Sequence, residues 1–220
     1  MPSGSTRANN VQLIVRIMEV ILSKEEVDAQ ECDLLVTGIF EDERPLRGTS
    51  GWIDWRLNGR LSRLLIRGKL SGVWRETTLI PSGSRIAPRM ILMFGLGRIR
   101  DYGYLRLRET FPHLIETMKN LRISSACVSL PYAGEYNVDG GKWIEIFFEG
   151  MLDCFDRWRQ TPDEEWFRDL RLVFTEGAGG ISEMFLAVQA VQSFLENRFK
   201  IRLLVPAEET TSRPSRAASS

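Results

Sequence analysis

DLLVTGIF, residues 33–40, is the stretch on which the fold turns. It is short and almost wholly apolar, shows no polar alternation, and stops at the acidic run Glu41-Asp42-Glu43. A run of that kind reads as a strand buried on both faces, the mark of a parallel sheet covered on each side. Three further segments read as strands: RMILMF (89–94), SSACVSL (124–130, stopped by Pro131) and LRLVF (170–174). Residues 76–80 add a strand joined to 89–94 through a turn at Pro81, Gly83 and Ser84, and 11–22 and 201–205 read as flanking strands. Helical patterns fall between them, within 46–67 and over 104–121, 141–160 and 181–199. In 141–160, Trp143, Ile144, Phe147, Phe148, Met151, Leu152 and Phe155 draw one wide apolar face. Pro112 predicts a kink or restart in 104–121, and Thr161-Pro162 reads as an N-cap followed by proline at the first helical position. Strands alternating with helices of this length imply a largely parallel α/β sheet.

The chain has 220 residues, with 29 basic and 29 acidic side chains and 43% hydrophobic residues. That suits one large domain, expected over 10–206, between polar ends at 1–9 and 207–220 that are expected to be disordered. The balanced charge points neither to nucleic acid nor to a membrane. Cys32, Cys127 and Cys154 are odd in number and widely spaced, which favours reduced, buried thiols over a disulfide framework. The apolar segment 11–22 is broken by Arg16 and Glu19 and is too short to span a bilayer, and no secretory cleavage site follows it. The expected compartment is the cytoplasm.

Order and spacing across 33–97 carry a resemblance. Phe40-Glu41, Leu46-Arg47-Gly48, Ile53-Asp54, Gly59-Arg60-Leu61-Ser62 and Gly95-Leu96-Gly97 follow one another. They are joined further on by DYGYLRLRE (101–109) and FFEGMLDCFDRW (147–158). Over roughly 10–205 the chain resembles the N-terminal domain of the cytosolic two-metal leucyl aminopeptidases. The resemblance implies a macro-domain-like α/β/α sandwich with a mixed, mostly parallel sheet. It also implies a non-catalytic role, because the family's metal-binding chemistry belongs to a separate C-terminal domain. The hallmark Asn-Thr-Asp-Ala-Glu-Gly-Arg-Leu run of that domain is not found here, so peptidase activity is not expected. Relatives assemble as hexamers, which implies self-association.

The residues themselves offer little chemistry. His113 is the only histidine, with Glu116 one turn on; a metal site needs more convergent ligands than that, and none is expected. No cofactor is expected, and no nucleophile elbow appears. Thr175-Glu176-Gly177-Ala178-Gly179-Gly180 follows a strand and opens a helix, so Gly177, Gly179, Gly180 and Ser182 are candidates for holding an anionic ligand such as a nucleotide or ADP-ribose. The plainer reading is a flexible turn, with Glu176 and Glu183 opposing a phosphate.

Charge is unevenly spread: residues 44–108 hold 14 Lys or Arg against 3 acids, while 132–170 hold 10 acids against 4 bases. If 55–67 is one helix, Arg56, Arg60, Arg63 and Arg67 share a stripe beside an apolar face of Leu57, Leu61, Leu64 and Leu65. With Trp52 and Trp55 they form a candidate interaction surface, for a second copy, another protein or, less favoured, nucleic acid. A solvated helix face with local ion pairs is the blander alternative. The reading is therefore a non-catalytic interaction or assembly module, with small-ligand binding as the alternative.

Overall fold

The computed structural model describes residues 17–132, 136–175, 181–195 and 201–205. Along the chain run β1 (Met18–Ser23), β2 (Leu34–Ile39), α1 (Gly48–Arg56), α2 (Arg60–Ile66), β3 (Thr77–Pro81), β4 (Met90–Gly95) and α3 (Tyr104–Asn120). They are followed by β5 (Ser125–Ser129), α4 (Gly140–Trp158), α5 (Glu164–Arg168), β6 (Arg171–Thr175), α6 (Ile181–Leu195) and β7 (Ile201–Leu204). Short 3-10 turns occupy Val27–Ala29 and Ile99–Asp101. The strands form one sheet in the order β3-β4-β2-β5-β6-β1-β7. Every neighbouring pair is parallel except β3 with β4.

Successive strand side chains point to opposite faces, and this alternation divides the core in two. Leu34, Val36, Leu92, Phe94, Ala126, Val128, Leu172 and Phe174 face one layer, built from α3, α4 and α6. Leu35, Ile39, Ile91, Met93, Cys127 and Val173 face the other, where α1, α2 and the turn at Val27 supply Ile53, Leu57, Leu61 and Val27. The result is the expected three-layer α/β/α sandwich. All six residues of β2 are buried, as a strand covered on both faces requires. The larger layer is tied by edge-to-face aromatic contacts: Phe147 meets Phe111 and Phe174, each at 5.2 Å between ring centroids.

Several expectations change. The expected helix 55–67 is two helices. Asn58 and Gly59 both take left-handed backbone angles (φ 55° and 72°), which ends α1 and turns the chain before α2. Asp54 stabilises the break by accepting from the Leu61 and Ser62 amides at 2.7 and 3.1 Å and from the Ser62 hydroxyl. The four-arginine stripe on one helix therefore does not exist. Arg56 pairs with Asp28 at 2.7 Å, Arg60 donates to the Pro81 carbonyl at 2.8 Å, and Arg63 donates to the Asn58 carbonyl at 2.6 Å.

α3 runs through Pro112 without a restart. Thr161 is not an N-cap: its amide and hydroxyl both donate to the Trp158 carbonyl, closing α4, while Asp163 precedes α5. Trp158 and Trp166 are half-buried, the latter donating to the Ile123 carbonyl at 2.8 Å. Residues 11–16 of the first expected strand, 196–199 of the last expected helix and both polar ends lie outside the described residues.

Candidate functional site

In an open parallel sheet a ligand crevice forms where neighbouring strands send their chains to opposite faces, beyond the carboxyl ends. β2 and β5 are such neighbours here: the chain leaving β2 enters α1 on one face, and the chain leaving β5 enters α4 on the other. A cleft of about 380 Å³ lies at that edge, a volume suited to a small molecule. Its floor includes Gly38 of β2, Ser129 of β5 and Thr175 of β6; one wall is Lys24, Glu25, Glu26 and Val27, which follow β1. The other side is formed by Glu43, Arg47, Gly48, Thr49, Ser50 and Trp52, with Tyr132 and Tyr136 beyond.

Local chemistry explains how these side chains are held. Arg44 locks the loop after β2 by donating to the carbonyls of Phe40, Glu43 and Ser71 at 2.8, 2.6 and 2.9 Å. That loop carries Glu43, which is 6% exposed and accepts from the Tyr136 hydroxyl at 3.1 Å. The hydroxyls of Thr49 and Ser129 bond at 2.7 Å, joining the start of α1 to the end of β5. After β1, Ser23 accepts from the Glu25 amide and the Gln30 side chain, at 3.2 and 2.9 Å. Arg47 occupies the N-cap position of α1 and makes no side-chain cap. The first-turn amides of Gly48, Thr49 and Ser50 have no partner within the helix, and these residues line the cleft at the positive end of the helix dipole.

Trp52 stands at the cleft mouth, 39% exposed. Its indole N–H donates to Asp28 Oδ1 at 2.8 Å, and the other oxygen of Asp28 takes Arg56 Nε at 2.7 Å. Asp28 is 8% exposed, so a buried carboxylate fixes both side chains. Trp55, 64% exposed, lies beside Trp52 with ring centroids 5.0 Å apart.

Of the sequence candidates, Trp52 joins the cleft; Trp55 and Arg56 adjoin it through Trp52 and Asp28. Arg60, Arg63 and Arg67 lie on the α2 surface and do not line it. Ser182 is exposed in the first turn of α6 and is not part of the lining. Gly177, Gly179 and Gly180 fall outside the described residues. Lys24, Glu25, Glu26, Glu43, Thr49, Ser129 and Tyr136 were not singled out from sequence; position just after the carboxyl end of a buried strand is the signal that marks most of them.

His113 lies in α3 against Phe94, with burial and then the nearby Arg75 holding its pKa below the usual range. Among the described residues no group of three His, Cys, Asp or Glu side chains could hold a metal ion, and no helix is long and apolar enough to cross a membrane.

Residues 36–153 match the cytosol aminopeptidase family, N-terminal domain. The chain belongs to that family. A probable cytosol aminopeptidase of Sulfurihydrogenibium is 23% identical over 158 residues, covering 70% of this chain and 31% of that protein. The cytosol aminopeptidase of Pseudomonas aeruginosa is 24% identical over 150 residues, covering 67% of this chain and 30% of its own length. The chain thus spans about a third of the length of these family members, and the matched segment is their N-terminal domain. Among solved structures, the Oceanobacillus iheyensis macrodomain with ADP superposes with a TM-score of 0.59 at 12% identity, over 79% of this chain and 91% of that one. The Trypanosoma brucei macrodomain in complex with ADP-ribose gives 0.58 at 15%, over 78% of this chain and 68% of that one. Likeness at this identity establishes a macrodomain-like fold.

Proposed function

We propose that this chain binds a small nucleotide-type ligand, of the ADP or ADP-ribose kind, in the cleft between β2 and β5, without catalysing a reaction on it. The observation that carries the reading is the uncapped first turn of α1 opening on a cleft at the sheet's switch point, beside Arg47 and Thr49. The ADP and ADP-ribose named for the two macrodomains of the same fold agree with it. Lys24 and Arg47 face three carboxylates, Glu25, Glu26 and Glu43, so affinity comes from amides, hydroxyls and shape more than from net charge. The residues lining the cleft include no cysteine, so they offer no thiol nucleophile to a bound ligand.

Calorimetry with ADP-ribose and ADP tests this. At a hundredfold excess over Kd, a ligand adds about 2.7 kcal/mol, which raises Tm by roughly 5–10 °C. Thr49→Glu places a carboxylate at the α1 start and removes the response. No binding of either ligand by the unmutated chain at millimolar concentration rejects the proposal.

A second reading, self-association, has its own support. Trp55 and Ile66 are 64% and 85% exposed. Arg60, Arg63, Arg67, Lys69 and Arg85 have no carboxylate partner among the described residues. The acid-rich segment 132–170 of a second copy would complement them. Light scattering at low and high salt decides: a discrete oligomer that loosens in salt supports it, and a monomer at both ends it. The three buried thiols and the cytosolic relatives support a cytoplasmic location.

A further inference from the structure

We infer that the exposed face of Trp52 is a stacking platform for the planar base of the ligand, so that the cleft selects nucleosides over sugar phosphates that lack a base. The inference rests on the nucleotide reading above and adds the part of the ligand it recognises. A tryptophan needed only for packing would turn its ring inward. Trp52 instead keeps 39% of its surface exposed at the cleft while its nitrogen is pinned to a carboxylate that is itself 8% exposed.

Asp28 is fixed in turn: Arg56 bonds its second oxygen, and its backbone carbonyl accepts from the Ala87 amide at 2.8 Å. Trp55 supports the indole from beside it at a 31° tilt. The ring's rotamer freedom is therefore removed before a ligand arrives, and stacking on it incurs little ordering cost. Glu25 and Glu26, which precede Asp28 in the same loop and line the same cleft, offer acceptors to an exocyclic amino group. Every nucleobase presents a π face, and stacking one on an aromatic side chain changes affinity by about tenfold to a hundredfold.

The test uses the full chain with three probes, ADP-ribose, ADP and ribose 5-phosphate, read by calorimetry and intrinsic tryptophan fluorescence. ADP and ADP-ribose are expected to quench the emission, and ribose 5-phosphate to bind at least tenfold more weakly without quenching. Trp52→Ala loses about tenfold to a hundredfold in affinity for the base-bearing probes, with ribose 5-phosphate unchanged. Trp52→Phe, which keeps a ring but not the N–H, retains most of it. Ribose 5-phosphate binding as tightly as ADP-ribose to the unmutated chain overturns the platform while leaving the nucleotide cleft standing, and this comparison needs no variant to fold. Undiminished ADP-ribose binding by Trp52→Ala does the same. Binding of none of the three probes by the unmutated chain overturns both.

Discussion

Replacing Asp54 by alanine separates the observed break between α1 and α2 from the continuous helix that residue spacing suggests. In one helix unbroken from residue 48 to residue 67 Asp54 would be a solvated mid-helix side chain, and its loss would register within about 0.5 kcal/mol. In the observed fold it accepts two amides, at 2.7 and 3.1 Å, and the Ser62 hydroxyl. Loss of a capping side chain costs about 0.5–2 kcal/mol, and hydrogen bonds to an ionised acceptor lie at the upper end. We expect about 2 kcal/mol at neutral pH, a fall in Tm of about 4–8 °C for a chain of this size. Asp54→Asn keeps an acceptor and should lose about half as much. Urea unfolding followed by far-ultraviolet circular dichroism gives the values, with an unchanged slope confirming that the comparison is of native stability. A loss below 0.5 kcal/mol for Asp54→Ala would refute the capping argument.

Other outcomes follow from single features. An ideal Cβ on Gly95 would sit 1.9 Å from the Val73 carbonyl oxygen; Gly95→Ala should destabilise by more than about 4 kcal/mol, or yield no folded protein, in the same urea assay. Burial pushes Cys32 up to about 11 and raises Cys127 and Cys154 as well; a thiol reagent at pH 8 should find no fast-reacting cysteine in the native chain and all three in guanidinium. At Asp33 burial raises the pKa, but hydrogen bonds from Ser124 and Ser125 outweigh it and leave the group below its ordinary value. A depressed carboxylate adds stability that is present above the unfolded pKa of about 3.9 and is lost as pH falls through the lower native value. The penalty of Asp33→Asn should accordingly be present at pH 7 and shrink in the acid arm of a pH–stability series.

Residues 33–40 declared a strand buried on both faces because apolar side chains fell on both parities, and β2 is buried along its whole length. The face of α4 was equally legible, since Trp143, Phe147 and Met151 recur at helical spacing and all reach the core. The break after Arg56 was missed although its signals were present: Asn58-Gly59 is a turn dipeptide, and Asp54 precedes it as a side-chain acceptor. Helical spacing outweighed them because leucines continue on one face through Leu64 and Leu65. The cleft was harder to read for a different reason. Its walls come from loops far apart in the chain, and only the strand order brings Glu25, Arg47 and Tyr136 to one edge. Composition carries no information about which loop lies beside which.

Among the described strands β1 pairs with β6 and β7, both far later in the chain. On a ribosome adding about 5–20 residues each second, about 8–30 s separate the emergence of β1 from that of β6. Through that interval an apolar segment, MEVILS, has no ladder to join. Vectorial synthesis thus gives this topology a built-in waiting period, during which β1 is the natural client of a holding chaperone.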